Sequence, residues 1–505
     1  MTEAQKNRWK AERLSKSLFT TGLQCPKALW LTKNRPDLRT IKASQQAVLS
    51  SGTSVGELAQ QLFPGGVEIP FDGLSVSEQL KMTQELMGSG TKVLYEASFR
   101  FDNIFIKADI MVKKGRYWHL YEVKSSTGVK DVYLKDLALQ YYVLKSHGLP
   151  VSKAHLVHLD TGYVRGKRLN PKKLFAIADL TEEVRAKQSS LPQEIERLRK
   201  AIAQGEPARD IGPHCSEPYE CFFAGHCWQH IPSPSVFSLR GRGKPDAFHY
   251  YSQGKVRLED ILRDELKWRQ QIQLDGHLSN TSVFDREAVS DFLQNLTYPL
   301  SFLDFETTGM GMPVPLFEGT SSYQHVPFQF SLHVQKRREG KLHHHEFLAH
   351  ADAAPQQAFL NSLLDSLPAR GSIIAWNKAY EIRILRELAK RFPKSSGEIA
   401  QIVERFVDLA EPFSKMHIYE PGFWGSYSIK AVLPVLVPEL SYKELEIGDG
   451  MAAAEGWMGL LDCRDEAQIA STRKALLQYC ELDTYAMVRI FRHLQNCLSP
   501  SVSDG

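Results

Sequence analysis

The sequence predicts an α/β protein made of two units that each combine strands with helices, joined by a helical connector. The first unit is indicated by three β-rich segments between residues 93 and 126, which are followed by an amphipathic helix. The second is indicated by an apolar strand at 301–305 and by later strands and helices. Between the two, the charged helical pattern of residues 256–296 indicates a connector. A chain of 505 residues suits this division, because domains typically contain about 100 to 200 residues.

The composition is that of an ordinary soluble protein, with 43% hydrophobic and 24% charged residues. The formal net charge of +4 is too small to indicate nucleic-acid binding, but residues 1–42 carry ten Lys or Arg against three acids, which suits a phosphate backbone. The first sixteen residues lack the apolar core of a signal peptide, and no apolar run approaches the roughly 18 residues that cross a bilayer. We therefore expect a cytoplasmic protein that does not bind a membrane.

Four of the seven cysteines follow a pattern typical of metal ligands. Three recur at six-residue spacing and one lies 190 residues earlier; the four are Cys25, Cys215, Cys221 and Cys227. In a reducing compartment, clustered cysteines indicate metal ligation rather than disulfides. The remaining cysteines show no ligand spacing and are expected to be ordinary buried thiols; they are Cys463, Cys480 and Cys497.

The spacing of the four cysteines favours an iron–sulfur cluster over zinc. Zinc typically uses a compact CxxC arrangement, whereas the ligands of a cluster can be widely separated in sequence. Such a cluster would tie the N-terminal segment to the end of the first unit. Zinc, which the neighbouring His214 and His226 would favour, remains an alternative, as do unrelated buried thiols.

Two carboxylates and a lysine stand out in the first unit. The segments 103–114 and 116–126 predict a hairpin, with Asp109 on one strand and Glu122 and Lys124 on one face of the next. Carboxylates from adjacent strands can hold Mg²⁺, and a lysine on the same face can stabilise charge on a phosphate. The alternative is an exposed cross-strand salt bridge.

This Asp, Glu-x-Lys arrangement resembles the PD-(D/E)XK nucleases. With the four bracketing cysteines, it is similar to the RecB-like iron–sulfur nucleases, in which one cysteine precedes the core and three follow it. The resemblance implies a 4Fe–4S cluster and a set of site residues. These are Asp109 and Glu122 as metal ligands, Lys124 as catalytic lysine, Gln140 as active-site glutamine and Glu57 as a candidate further acid. The sequence departs from the pattern at Ala108, which replaces the name-giving proline, and in the even spacing of its last three cysteines.

A run rich in Pro, Ser, Gly and basic residues at 230–255 indicates the end of the first domain. We expect domains at 1–232 and 298–497, a helical connector at 233–297 and a flexible tail at 498–505.

A second pair of acids ends the apolar strand of SFLDFETTGM. Asp304 and Glu306 would project on the same side, and burying two like charges is costly unless a cation neutralises them. A strand-end turn or cap is the alternative reading. On the last predicted helix, Tyr479 and Asp483 are four residues apart, so they share a face and can reach one site.

The order of these motifs resembles the DnaQ-like, or DEDD, 3′–5′ exonucleases, which have a ribonuclease-H-like fold. The resemblance implies two Mg²⁺ or Mn²⁺ ions, and the tyrosine corresponds to the DEDDy branch. The implied metal ligands are Asp304, Glu306, Glu381 and Asp483, with Tyr479 positioning the water and Asn377 opening the second motif. The sequence departs at Glu381, where an aspartate is usual, and Asp408 is the alternative ligand.

The pairing of these two units resembles an uncharacterised bacterial family with the same architecture. The resemblance implies a metal-dependent nuclease, with DNA favoured over RNA as partner and with single-stranded ends as substrate, in repair, recombination or defence. Two alternatives remain: a nucleic-acid-binding scaffold with a degenerate exonuclease domain, and a zinc-stabilised RNA-processing nuclease. The sequence does not identify protein partners.

Overall fold

A computed structural model of the protein describes residues 12–241, 245–308, 312–351 and 354–499. The chain forms two compact units, and the first ends at His230, two residues before the predicted boundary at 232. The first unit also includes Pro313–Tyr323, which no sequence pattern predicted. The predicted connector, 233–297, is not a separate body, because apolar residues such as Val289 pack in the core of the second unit.

Both units combine helices with a sheet, which confirms the α/β class. The predicted tail, 498–505, lies outside the described residues from position 500 onward, and the last helix ends at Leu498. Within the described ranges, no helix is both long enough and apolar enough to cross a membrane.

The first unit is built on a seven-stranded sheet. Its strands are β1 (Leu14–Ser15), β2 (Val67–Glu68), β3 (Val93–Phe101), β4 (Ile104–Lys114), β5 (Tyr117–Val123), β6 (Val151–Leu159) and β7 (Phe175–Asp179). They follow the order β2-β3-β4-β5-β6-β7, and β1 pairs in parallel with the start of β4. β4 and β5 form the antiparallel hairpin that the sequence predicts, whereas β5 and β6 are parallel.

The helices of the first unit are α1 (Lys16–Gln24), α2 (Pro26–Asn34), α3 (Ala43–Gln60), α4 (Val76–Gly88), α5 (Asp131–Ser146), α6 (Pro171–Leu174), α7 (Thr181–Ala186), α8 (Leu191–Ala203) and α9 (Ala224–Cys227). α5 supplies the crossover that the parallel pair β5 and β6 requires. It is the predicted amphipathic helix, and it stops before Gly148, whose φ of 92° suits a helix end.

The second unit contains a five-stranded sheet with a separate strand pair. Its strands are β8 (Val283–Phe284), β9 (Leu300–Thr307), β10 (Pro327–Gln335), β11 (Leu342–Leu348), β12 (Ile373–Ala375), β13 (Phe406–Asp408) and β14 (Ile418–Tyr419). The sheet order is β11-β10-β9-β12-β13, and β8 pairs with β14. β9, β10 and β11 form the antiparallel meander that the sequence predicts, and β12 runs parallel to β9.

The helices of the second unit are α10 (Pro245–Ser252), α11 (Trp268–Ser279), α12 (Arg286–Gln294), α13 (Gln356–Ser366), α14 (Ala379–Arg391), α15 (Ser396–Glu404), α16 (Glu411–Ser414), α17 (Ile429–Leu436), α18 (Gly450–Gly459) and α19 (Glu466–Leu498). α14 follows β12, as the sequence predicts. α19, which is 33 residues long, packs on β9 and β10 and buries one face there.

Candidate functional site

The two acids predicted in the first unit lie side by side at the centre of its sheet. Asp109 on β4 faces Glu122 on β5, one position beyond the paired residues Ile110 and Tyr121. Glu122 is fully buried and Asp109 is partly buried. One carboxylate oxygen of Asp109 accepts the backbone N–H of Val123 at 2.7 Å, which fixes its orientation. The register of the hairpin therefore brings both carboxylates together.

Lys124 and Gln140 contact the same glutamate. Lys124 Nζ donates to Glu122 Oε1 at 2.6 Å, and Gln140 Nε2 on α5 donates to Glu122 Oε2 at 2.6 Å. Both also contact Asp136, at 2.8 and 3.3 Å. Asp136 was not predicted, although it lies one helical turn before Gln140, a spacing that places two side chains on one face. The structure thus brings the four predicted residues together and adds a third acid.

Lys16, which was also not predicted, lies between the two carboxylates. Its Nζ is 3.3 Å from Asp109 Oδ1 and 2.9 and 3.1 Å from the two oxygens of Glu122. Lys16 begins α1 directly after β1, whose pairing with the distant β4 brings it here, so no local pattern could have indicated it. An ammonium group and a divalent cation would use the same oxygen atoms, so Lys16 competes for the predicted metal position.

Glu57, the candidate further acid, does not join this cluster. It is exposed on α3, because that helix buries the opposite face, with Val55 and Ala59. An acid instead comes from β3, where Glu96 lies between the paired positions Tyr95–Ile110 and Ala97–Ala108. The charge of Glu96 contributes to the raised pKa of Asp109.

The ionisable groups of this cluster determine one another's charge. Burial, reinforced by Glu122, raises the pKa of Asp109 to about 7. Burial also acts to raise the pKa of Glu122, but Lys124 and Lys16 outweigh it and hold that pKa well below its usual range. Burial would lower the pKa of Lys124, yet Glu122 and Asp136 more than offset this and raise it. Lys124 is therefore protonated and can stabilise negative charge on a phosphate.

The four predicted cysteine ligands line one pocket of the first unit, and all four are free thiols; they are Cys25, Cys215, Cys221 and Cys227. Cys25 separates α1 from α2, and Cys227 ends α9. The backbone N–H of Cys221 donates to the carbonyl of Cys215 at 2.9 Å. Folding therefore closes the 190-residue gap between Cys25 and Cys215.

The four thiols of this pocket are partly or fully buried, which affects how they could bind a metal. Burial raises the pKa of Cys221 to about 11, with a contribution from the other cysteines, and also raises the pKa of Cys25 and Cys227. Thiolate ligands must be deprotonated, so a cation is needed to hold them in this form. Four sulfur ligands suit an iron–sulfur cluster. His214, whose Nε2 is 3.9 Å from Cys215 Sγ, adds a nitrogen that zinc would also accept.

Cys25→Ser is expected to remove bound iron or zinc and to lower the melting temperature, because ligation energy at such a site is folding energy. The measurements are elemental analysis of the purified protein and thermal unfolding. Cys463→Ser, which changes a partly exposed thiol of the second unit, is the matched control and should retain both properties. Unchanged metal content in Cys25→Ser would contradict the assignment of Cys25.

In the second unit, Asp304 and Glu306 project from one face of β9, the central strand of the sheet. Glu306 is buried and Asp304 is partly exposed. One carboxylate oxygen of each lies within 4.8 Å of the other and of the sulfur of Cys480. Cys480 is a buried free thiol, as predicted, and its Sγ is 3.9 Å from Asp304 Oδ2, whereas Cys463 and Cys497 are only partly buried.

Tyr479 and Asp483 lie one turn apart on the buried face of α19. The hydroxyl of Tyr442 donates to Asp483 Oδ1 at 2.6 Å. Lys430 on α17 donates to the hydroxyl oxygen of Tyr479 at 3.3 Å and to the carbonyl of Gly448 at 2.7 Å. Sequence reasoning missed Lys430 and Tyr442, because they come from α17 and the loop after it and share no motif spacing with α19.

The structure separates the roles of Glu381 and Asp408. Glu381 is buried in the first turn of α14, and within the described residues its Oε2 has no hydrogen-bond partner. Asp408 Oδ1 instead accepts the backbone N–H groups of Asn377 at 2.9 Å and Ala410 at 3.0 Å. Asn377 is exposed with a φ of 65°, so Asp408 stabilises an unfavourable turn. Among the described residues, Glu381 thus has a buried oxygen without a hydrogen-bond partner that a metal could bind, whereas Asp408 Oδ1 is used by the turn.

The carboxylates of the second unit repel one another. Burial and the charge of Asp483 raise the pKa of both Asp304 and Glu306 well above the usual range. Burial raises the pKa of Asp483 to about 6, and burial with the charge of Asp408 raises that of Glu381 to about 8. Lys430 acts against this rise at Asp304, Glu306 and Asp483, but their pKa values stay above the usual range. Oxygen ligands of this kind suit Mg²⁺ or Mn²⁺.

Comparison with known proteins places similarity at this second site. Residues 301–428 match the family described as Domain of unknown function (DUF2779). The matched segment includes Asp304, Glu306 and Glu381 and ends before Tyr479 and Asp483.

Two curated relatives match a short part of the chain. The Uncharacterized protein MG366 homolog of Mycoplasma pneumoniae is 32% identical over 131 residues, which is 24% of this chain and 20% of that protein. The Uncharacterized protein UU173 of Ureaplasma parvum is 30% identical over 140 residues, with the same shares of 24% and 20%. The matched region thus spans about a fifth of the length of these relatives.

Proposed function

We propose that the protein is a metal-dependent nuclease that cleaves DNA at single-stranded ends in the cytoplasm, with one phosphodiester-hydrolysing site in each unit. The proposal rests mainly on the second unit, where four carboxylates from β9, α14 and α19 influence one another and share raised pKa values; they are Asp304, Glu306, Glu381 and Asp483. Lys430 favours the ionised form of three of these acids, but the pKa values remain raised, so a further cation would be needed to hold all four as carboxylates. Sites of this kind hold two divalent cations. The resemblance of the motifs to DEDD exonucleases supports the same assignment.

In this proposal, the residues of the second unit have different roles in phosphodiester hydrolysis. When bound, Mg²⁺ or Mn²⁺ at the four carboxylates would polarise the phosphate and lower the pKa of a bound water. Tyr442 holds the carboxylate of Asp483 in one orientation through its 2.6 Å hydrogen bond. Lys430 holds the hydroxyl of Tyr479, which can then orient the attacking water.

In the first unit, Asp109 and Glu122 would hold the cation and Lys124 stabilises the charge that develops on the phosphate. Gln140 keeps Glu122 in place through its 2.6 Å hydrogen bond. The four-cysteine pocket holds a 4Fe–4S cluster in this proposal, with a structural role: it fastens α1, which begins with Lys16, to the end of the first unit.

The position of Lys16 favours a second candidate function for the first unit, namely binding of nucleic acid without cleavage. Lys16 already forms ion pairs with the two carboxylates that a cation would use. In that case the second unit would carry all of the cleavage.

A panel of end-labelled single- and double-stranded DNA and RNA, with Mg²⁺, Mn²⁺ or EDTA, tests the proposal. We expect cleavage of single-stranded DNA that EDTA abolishes, partial loss in Asp304→Asn and in Lys124→Ala, and complete loss in the double variant. Full cleavage in Lys124→Ala would support the binding role of the first unit. Cleavage that persists in the double variant, or no cleavage of any substrate by the wild type, would contradict the nuclease assignment.

A further inference from the structure

A cluster of two histidines and a glutamate lies outside the four carboxylates of the second unit. His333 on β10 and His344 on β11 are cross-strand partners, with their rings stacked at 4.4 Å between centroids and 22° between planes. Glu481 on α19 places Oε1 3.7 Å from His344 Nδ1. One donor atom of each of the three residues lies within 4.8 Å of the other two. β10, β11 and α19 therefore each contribute one potential metal ligand to the same cluster.

Two hydroxyl groups fix the orientation of the imidazole rings. Thr484 Oγ1 lies 2.8 Å from His333 Nδ1, and Ser331 Oγ lies 2.9 Å from His344 Nε2. The two hydroxyl oxygens are 2.7 Å apart and both residues are buried. Metal-binding histidines typically use one ring nitrogen for such an orienting bond and the other for the metal. For His344 the remaining nitrogen is the one that faces Glu481.

The ligand chemistry is that of a transition metal rather than of Mg²⁺. Two imidazole nitrogens and one carboxylate form a donor set that zinc sites use, with a water or another ligand in the fourth position. His333 is buried, and burial favours the neutral form of the imidazole ring, which is the form that binds a metal. Glu481 is exposed, so an ion from solvent can reach the cluster of His333, His344 and Glu481.

We propose that His333, His344 and Glu481 form a binding site for Zn²⁺ or a similar transition-metal ion, separate from the Mg²⁺ and cysteine sites. The bound ion would link the β10–β11 hairpin to α19. Glu481 lies between Tyr479 and Asp483 along α19, so the link would hold the helix segment that carries those two residues.

Isothermal titration of the full-length protein with Zn²⁺, in excess Mg²⁺, tests the proposal. We expect His344→Gln to bind one equivalent fewer than the wild type, and Glu481→Gln to bind that equivalent at least about 10-fold more weakly. The matched control is His345→Gln, because His345 is the neighbouring exposed histidine on the same strand and is absent from the cluster. Since Glu481 is exposed, its replacement should not disturb folding.

The stoichiometry decides the outcome, because the other metal sites are intact in all three variants. A loss in His344→Gln and weakening in Glu481→Gln, with His345→Gln equal to the wild type, would support the site. Equal stoichiometry and affinity in all four proteins would overturn it, and so would an equal loss in His345→Gln.

Discussion

Glu381→Gln is expected to lower the cleavage activity of the second unit by about 100-fold or more, because it removes one anionic ligand while conserving side-chain size. The buried carboxylate of Glu381 has an oxygen without a hydrogen-bond partner within the described residues, and its charge contributes to the raised pKa of Asp304 and Glu306. The measurement is the rate of metal-dependent cleavage of end-labelled single-stranded DNA in a Lys124→Ala background, which isolates the second unit.

Asp408→Asn is the matched control for Glu381→Gln. An asparagine oxygen can still accept the backbone N–H groups of Asn377 and Ala410, so the turn and the cleavage rate should change little. A wild-type rate in Glu381→Gln together with a loss in Asp408→Asn would reverse the assignment. Wild-type rates in both variants would show that neither residue binds a catalytic metal.

Lys16→Met is expected to lower the free energy of unfolding by about 3–5 kcal/mol in metal-free buffer, since it removes one partner of a buried set of charges. Glu122 is fully buried and would retain Lys124 as its only lysine partner among the described contacts, and Asp109 would lose the ammonium 3.3 Å away. Adding Mn²⁺ should restore a large part of the loss, because the ion can then take the position of the ammonium group. Urea unfolding with and without Mn²⁺ measures both effects.

Lys153→Met provides the comparison for Lys16→Met. Lys153 also forms an ion pair, with Asp179 at 2.7 Å, but both side chains are nearly half exposed. Surface pairs of this kind contribute about 1 kcal/mol or less, and Mn²⁺ should have no specific effect on this variant. If Lys16→Met were as stable as the wild type, or if Mn²⁺ stabilised both proteins equally, Lys16 would not compete with a cation.

Features set by neighbouring parts of the chain could be predicted from the sequence. Asp109, Glu122 and Lys124 converge because one hairpin places them, and the period of two along a strand brings Lys124 and Glu122 to one face. The spacing of Tyr479 and Asp483 on α19 followed in the same way from the helical period. Local periodicity therefore identified most of both acidic clusters.

Features set by distant pairing could not be predicted. Lys16 reaches its cluster only through β1, a two-residue strand paired with β4. Lys430 and Tyr442 contact α19 through tertiary packing alone. Glu57 is exposed and lies outside the acidic cluster of the first unit, because its helix buries the opposite face. The charged helical pattern of the predicted connector did not indicate that this segment belongs to the second unit, because such a pattern does not reveal which core its apolar face joins.

Helix α1 begins with Lys16 at the acidic cluster and ends beside Cys25 in the cysteine pocket. Nine helical residues form a rigid element about 13 Å long. If the cysteine pocket holds a cluster, as proposed, that cluster would fix the end of α1 opposite Lys16, and the position of the Lys16 ammonium group would affect the affinity of the carboxylates for a cation. By thermodynamic reciprocity, a cation that displaced Lys16 would then alter the affinity of the cysteine pocket for its cluster by the same factor. Oxidation or loss of the cluster would then change the affinity of Asp109 and Glu122 for a cation, although the cluster and the cation do not touch.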